Sequence, residues 1–348
     1  QPAQFSFTPH APVSTIAFFD DALTQVVIKI ETPLEQGISY KLNVHQLNDC
    51  AGNPIQSEYS ATTFGLPEKA DSSDVLINEI LFNPRPNAVD FIEIYNHSNK
   101  FLNLKNWCMA TVDDNVKQVR LITNTDVLLS PNSYMVLTPD PSVVKVEYPQ
   151  AVDHALYATS LPALRDDYGF VKLLTADSTT IDQFQYSREF HSPFIKDPEG
   201  VSLERLSFLQ SAQEATNWKS ASAGSEYATP GYRNSNSHPL APMADSPIKV
   251  EPEIFIPLYG QPDFTQIQYN FDRGGFIANV KILDGQGRVV KQLAHNELLG
   301  TEGFIRWDGE TGIGNKARAG YYIVWFEVFD QTGTVQTFRQ RVVVASRF

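Results

Sequence analysis

The sequence predicts an all-β protein built from three successive segments, and three observations carry that expectation. Short runs rich in Val, Ile, Thr, Phe and Tyr, bounded by Gly, Pro, Asn and Asp, recur along the whole chain. Apolar residues at helical spacing occur in one stretch, 203–215 (LERLSFLQSAQEA), which fits a short helix or an irregular strand and loop equally well. Two breaks in composition, at 65–74 (GLPEKADSSD) and 232–252, divide the chain into about 1–66, 74–232 and 248–348. The second break holds Pro239, Pro242, Pro247 and Pro252 among Ser, Asn and His, and reads as an extended, semi-rigid connection.

Composition sets the outer bounds. Of 348 residues, 42% are hydrophobic and 19% charged, enough apolar material to bury real cores. Lys and Arg number 27 against 40 Asp and Glu, a net charge of −13, which repels nucleic acid and anionic lipid. No apolar run reaches the ~18 residues of a membrane-spanning helix. The first twenty residues lack a basic start followed by an apolar stretch, so a signal or anchor is expected outside this chain.

Strands are expected in order at 25–30 (QVVIKI), 39–44 (SYKLNV), 91–95 (FIEIY), 276–283 (FIANVKIL), 321–329 (YYIVWFEVF) and through 342–344. In the first segment, 47–53 (LNDCAGN) closes a strand with turn chemistry from Asp49, Gly52 and Asn53. The stretch 26–53 resembles the second half of a bacterial Ig-like domain. A complete sandwich of that kind takes about 100 residues and seven strands. Residues 1–66 are therefore expected to be the C-terminal part of such a domain, and the chain the C-terminal part of a longer protein.

The middle segment carries the strongest resemblance. Ile77-Asn78-Glu79-Ile80, then 90–96 (DFIEIYN), then 102–107 (LNLKNW) are similar to the opening of a lamin tail domain of bacterial secreted proteins. Leu129-Ser130-Pro131, Ser202-Leu203-Glu204-Arg205, Trp218, Thr229-Pro230-Gly231 and Asn234 follow in that family's order, so the resemblance spans 74–232. It implies an Ig-like β-sandwich without known catalytic chemistry.

Period-two alternation places Ile92 and Ile94 on one face of the 90–96 strand and Phe91, Glu93 and Tyr95 on the other. A buried Glu93 needs a partner, and Arg205, with its planar fork, is the expected one. The catalytic alternative pairs Glu79 with Glu93 as glycosidase-type carboxyls, about 5–9.5 Å apart in a cleft. Trp107 and Trp218 are expected in the core. Tyr157, Tyr168, Tyr186 and Tyr232 lie near predicted loops and are the candidates for a sugar-stacking platform.

In the last segment, 280–283 (VKIL) runs into the turn Asp284-Gly285-Gln286-Gly287. Trp307-Asp308-Gly309, Ala319-Gly320-Tyr321-Tyr322 and the turn Asp330-Gln331-Thr332-Gly333 follow. This order resembles the Ig-like domain of flagellar hook-capping proteins, which recurs at the C-termini of proteins exported by Bacteroidota. The resemblance implies either a plain structural module or a sorting address of the type IX secretion system, with Gly320 and Tyr322 as its strand. The Pro-x-Asn-Pro feature of many such signals is absent.

Other chemistry has little to stand on. A G-x-S-x-G turn and a phosphate-cradling loop are missing, and the seven histidines are too scattered for zinc. Cys50 and Cys108 allow one disulfide, which spacing leaves open. Calcium is the one candidate cation, at Asp166-Asp167 ahead of Asp20-Asp21 and Asp113-Asp114, although none has EF-hand spacing.

The expectation is therefore three tandem Ig-like β-sandwiches, the first incomplete. They would form the non-catalytic structural or docking region of a secreted or cell-surface bacterial protein from a Bacteroidota-like organism. Its expected partner is a surface protein or outer-membrane secretion machinery. The alternative is accessory, glycan-binding modules of a secreted hydrolase whose catalytic part lies N-terminal to this chain.

Overall fold

Strand hydrogen bonding falls into three groups that never mix. The computed structural model describes residues 4–18, 25–49, 51–113, 116–237, 246–257 and 262–346. Cys50, Asp20-Asp21 and Asp114 lie outside the described residues. The first group comprises β1 (Phe5–Thr8), β2 (Val13–Phe18), β3 (Val26–Ile30), β4 (Tyr40–Val44) and β5 (Ala61–Phe64). They form a three-stranded sheet ordered β1-β4-β5 and the separate hairpin β2-β3. Among the described residues of this segment only Phe7, Ala11 and Tyr40 are buried apolar residues, while Val26 and Val27 of β3 stand exposed. The turn after β4 is as its residues dictate: Asp49 Oδ1 accepts from the Ala51 and Asn53 amides at 2.9 and 2.8 Å.

The middle group runs β6 (Val75–Leu81), β7 (Phe91–Asn96), β8 (Leu102–Asn103), β9 (Cys108–Asp113), β10 (Val116–Leu121), β11 (Leu128–Leu129) and β12 (Tyr134–Thr138). After the helix α1 (Pro141–Glu147) come β13 (Leu156–Ala158), β14 (Tyr168–Leu174), β15 (Thr180–Ser187), β16 (Leu203–Arg205) and β17 (Trp218–Ser220). A six-stranded sheet, β13-β12-β7-β6-β16-β17, faces a four-stranded one, β10-β9-β14-β15. Between them lies one apolar core that includes Ile77, Ile92, Ile94, Val171, Phe184 and Trp218. Trp218 stacks on Phe184 at 3.7 Å and donates its indole N–H to the Ala212 carbonyl at 2.9 Å. Of the two readings of 203–215, the strand and loop is the one realised, since β16 ends at Arg205 and a short 3-10 turn follows at Ala215–Asn217.

The last group comprises β18 (Ile248–Glu251), β19 (Ile254–Phe255), β20 (Thr265–Asn270), β21 (Ile277–Leu283), β22 (Val289–Leu298), β23 (Glu302–Trp307), β24 (Gly320–Phe329) and β25 (Val335–Val344). Its sheets are β18-β20-β23 and β19-β25-β24-β21-β22, packed over a core that includes Trp307, Val324, Phe326 and Val342. The architecture is all-β throughout, in tandem Ig-like sandwiches.

Neither compositional break is a free linker where it is described. Glu68 bridges to Leu102 and donates its amide to the Phe101 carbonyl at 2.8 Å, and Lys100 holds Asp71 and Asp74 at 2.5 and 2.8 Å. Charged, small residues here are tied to a complementary surface, while Lys69, Asp71 and Ser73 stay exposed to water. At the second break, the Ser235 carbonyl accepts from the Thr301 amide at 2.9 Å, and Lys219 donates to the Gly274 carbonyl at 2.8 Å. Arg233 pairs with Glu302 at 2.7 Å, so the middle and last units touch through polar contacts of backbone and side chains.

Gly300 makes that approach possible, because a Cβ there would lie 2.4 Å from the Ser235 carbonyl oxygen. Gly300→Ala is expected to cost about 1–3 kcal/mol, the range for forced overpacking. A thermal melt indistinguishable from the parent would show that the two units do not seat as described.

Candidate functional site

The most concentrated chemistry is a layer of three fully buried carboxyls on adjacent strands. Glu79 on β6 lies opposite Glu93 on β7 and opposite Glu204 on β16. The register of β6 against β7 slips between Ile77 and Glu79, which makes Asn78 the extra residue of a bulge. Its side chain joins the layer: Asn78 Nδ2 donates to Glu93 Oε1 and to Asn234 Oδ1, each at 2.7 Å.

Among the described residues no cationic side chain enters this layer. Glu93 takes its other hydrogen bond from the Gly231 amide at 2.6 Å. Glu204 collects the Ser235 and Asn236 amides at 3.0 Å, Ser235 Oγ at 2.9 Å and Asn236 Nδ2 at 2.8 Å. Glu79 is held by Ser202 Oγ and by the Thr229 amide at 2.8 Å. The expected pair of Glu93 with Arg205 does not form. Arg205 instead reaches through the sandwich to Asp182 on β15, at 2.8 Å, and to the carbonyls of Ser207 and Gln210 at 3.2 and 2.9 Å. The reason is directional: the guanidinium faces the opposing sheet, while Glu93 faces the segment 229–236, which brings its own donors.

Burial raises all three carboxyls above the usual range: Glu79 to about 8, with Glu204 adding repulsion, Glu93 well above its ordinary value, and Glu204 against the hydrogen bonds from Ser235, Asn236 and Thr229 that favour its anion. Thr229 Oγ1 lies 3.0 Å from Glu79 Oε2 and 2.9 Å from Glu204 Oε1. One hydroxyl proton serves only one of them, so the other contact needs a protonated carboxyl. The consistent arrangement has neutral Glu79 donating to Thr229, which donates to ionised Glu204. With all three side chains sealed from water and saturated by protein donors, the layer is a structural fastening of 229–236. It offers no cleft in which Glu79 and Glu93 could meet a glycoside.

The remaining candidates scatter. Gly320 opens β24, and Tyr322 is buried in the last core with its hydroxyl donating to the Arg318 carbonyl at 2.8 Å. Asp167 is paired with Arg165 at 3.2 Å. Asp166 stands exposed near Asp90, whose carboxyl is lifted to about 7 by burial and by that neighbour. Among the described residues no group of three or more His, Cys, Asp or Glu is placed to hold a metal ion. Tyr186 is buried, with its hydroxyl accepting from the Arg165 amide, while Tyr168 is exposed, so the four tyrosines do not make one platform.

A surface that sequence reasoning missed is the outer face of the last sheet. Alternation on β24 sends Tyr322, Val324 and Phe326 inward and leaves Tyr321 (68% exposed), Ile323 and Trp325 outward. Arg341 lies opposite Ile323, and Arg339 and Lys281 flank Trp325. Arg339 stacks 4.6 Å from the Trp325 ring centre. Residues 1–247 hold 16 basic and 29 acidic side chains, whereas 248–348 hold 11 of each. This cationic, aromatic face thus sits on the one unit without net negative charge. The signal was available in the outward residues of YYIVWFEVF, had both faces of the strand been read.

The class defined by the fold is a tandem Ig-like β-sandwich protein. Within it, residues 68–188 match the family model of the lamin tail domain, an Ig-like module of non-catalytic, structural or interaction character. The match stops before β16 and β17, which complete the same sheet, so it takes in Glu79 and Glu93 but neither Glu204 nor the segment 229–236. No curated protein matches the chain. CopC from Methylosinus trichosporium OB3b is 19% identical, covering 28% of this chain and 88% of that one, with a TM-score of 0.20. Dimeric latent PorU from Porphyromonas gingivalis is 11% identical over 93% of this chain, with a TM-score of 0.24. The chain spans 25% of the PorU chain. Likenesses of this strength say nothing about function.

Proposed function

We propose that this chain is the non-catalytic structural and docking region of a secreted or cell-surface bacterial protein. Its docking surface is the outer face of the last sheet, and its partner a protein of the cell surface or of the outer-membrane secretion machinery, that of type IX secretion included. The observation that carries this reading is the outward row of Tyr321, Ile323 and Trp325 bordered by Lys281, Arg339 and Arg341. Aromatic residues and Arg are the side chains enriched where proteins bind one another. A sorting role of the Gly320 and Tyr322 strand fits here in altered form, since Tyr322 anchors the strand and its neighbours present the readable surface.

The test is the location of the full-length parent protein in its native host after Tyr321, Ile323 and Trp325 are replaced together by Ser. All three are surface residues, so the melting temperature is expected to hold. The protein is expected to stay in the periplasm. Arrival at the surface in the parent's amount, with an unaltered melt, overturns the proposal.

A further inference from the structure

A second site lies on the middle unit and involves none of the docking residues. A cleft of about 610 Å3 opens between 68–72, 103–107 and the loop 175–181. Its size falls within the ~300–1,000 Å3 of sites that take small organic molecules. Two walls are fixed by backbone. The Glu68 amide bonds to the Phe101 carbonyl at 2.8 Å, and the Thr175 amide bonds to the Thr179 carbonyl at 2.9 Å.

Trp107 lines this cleft, 5% exposed, with its ring in the apolar core. The other two buried tryptophans, Trp218 and Trp307, each donate their indole N–H to a carbonyl at 2.9 Å. Among the described residues the Trp107 N–H has no acceptor, and it is not among the sealed polar atoms left without a partner. Its nitrogen therefore keeps some contact with solvent, and the cleft that Trp107 lines is the space it opens to. A tryptophan 95% buried that turns its one polar atom outward is arranged to donate to something outside the chain.

The lining decides what that is. Asn106 and Ser72 add side chains without partners among the described residues. Charges of both signs are interspersed: Lys69 and Lys105 against Glu68, Asp71 and Asp177. Lys105 is held by Asp126 at 3.0 Å, Asp71 by Lys100 at 2.5 Å, and Asp177 by the Thr179 amide at 3.3 Å. An anion or a cation entering here meets its own sign. A hydroxyl, which donates and accepts at once, finds a match at every wall. We infer that this cleft binds a neutral carbohydrate of one or two sugar units, with Trp107 Nε1 and the Asn106 amide as its donors.

The test is an NMR titration of the 15N-labelled full chain with cellobiose, lactose and N,N′-diacetylchitobiose, each used separately. At least one of them is expected to shift a single indole N–H signal saturably, the signal that Trp107→Phe removes. Asn106→Gly keeps the left-handed backbone of φ +62° and deletes the amide. Its expected effect is an affinity loss of about tenfold, that of one lost hydrogen bond. Because Asn106 is exposed, this variant serves even where Trp107→Phe fails to fold. Three sugars that leave the indole signal in place overturn the inference, as does unchanged affinity in Asn106→Gly. A shift produced by inorganic phosphate and by none of the sugars overturns it equally.

Discussion

Arg205→Met is expected to destabilise the middle unit by about 3–5 kcal/mol, the cost of stranding a buried charge. Arg205 is 3% exposed and Asp182 14%, and the pair spans the sandwich from β16 to β15. Burial already works against both ions: it raises Asp182 and lowers Arg205 from their ordinary values despite their mutual attraction. Removing the guanidinium leaves the Asp182 carboxylate with the Ile77 amide, at 2.9 Å, as its remaining strong donor. The double variant Arg205→Met, Asp182→Asn is expected to recover at least half of the loss, because no charge is then left buried. Urea unfolding followed by tryptophan fluorescence measures both. A single variant that loses less than about 1 kcal/mol would assign the pair the small worth of a surface ion pair.

In the carboxyl layer, two apparently equal substitutions are expected to diverge. Glu204→Gln places an amide NH2 among donors that already converge on its oxygens, with an expected cost of about 2–4 kcal/mol. Glu79→Gln is expected to be nearly neutral at pH 6.5, since the amide can donate to Thr229 Oγ1 as the protonated carboxyl does.

The pH dependence separates them further. Glu79 titrates near 8 when folded against 4.5 for the ordinary side chain, so the folded state holds the extra proton between those values. Its contribution is complete below 4.5 and is lost as pH rises toward 8. His191 works in reverse: burial lowers it from 6.5 to about 4, and its contribution is lost as pH falls through that range. Asp90, at about 7, acts in the same direction as Glu79. Between pH 6.5 and 8 the carboxyls, the buried Glu93 included, therefore dominate, and Glu79 alone is expected to take about 2 kcal/mol from the stability. Glu79→Gln should remove its own share of that slope. An equal slope in parent and variant would place the shared proton elsewhere.

Much of the fold was legible because strand chemistry is local. The runs at 25–30, 39–44, 276–283 and 321–329 each became a strand within a residue or two, and Asp284 and Asp330 closed their turns by accepting backbone amides. The helix α1 was missed although its signal was present: Asp140 caps it, accepting from Ser142 N at 2.9 Å, and Pro141 opens its first turn. Seven residues of helix carry too little apolar periodicity to stand out.

The site was legible only in part. Burial of Glu93 followed from alternation, but the bulge at Asn78 breaks the period of two, and no local pattern reports such a slip. Which carboxylate meets Arg205 depends on how two sheets face each other, a long-range fact. The Trp107 cleft is likewise assembled from three separate stretches, and its defining feature is a hydrogen bond that a tryptophan does not make.

The fastening of 229–236 has a mechanical consequence. The backbone leaving the middle unit passes Glu204, which grips Ser235 and Asn236 by two amides and two side chains, and then offers the Ser235 carbonyl to Thr301 of the last unit. Tension applied through the last unit would therefore reach the middle sandwich at a point where four bonds to one carboxylate share the strain. Bonds that share a pull must rupture together, whereas bonds met one after another peel. A tether built this way resists stretching at its joint, and proton binding at the neighbouring Glu79 would tune how firmly it holds.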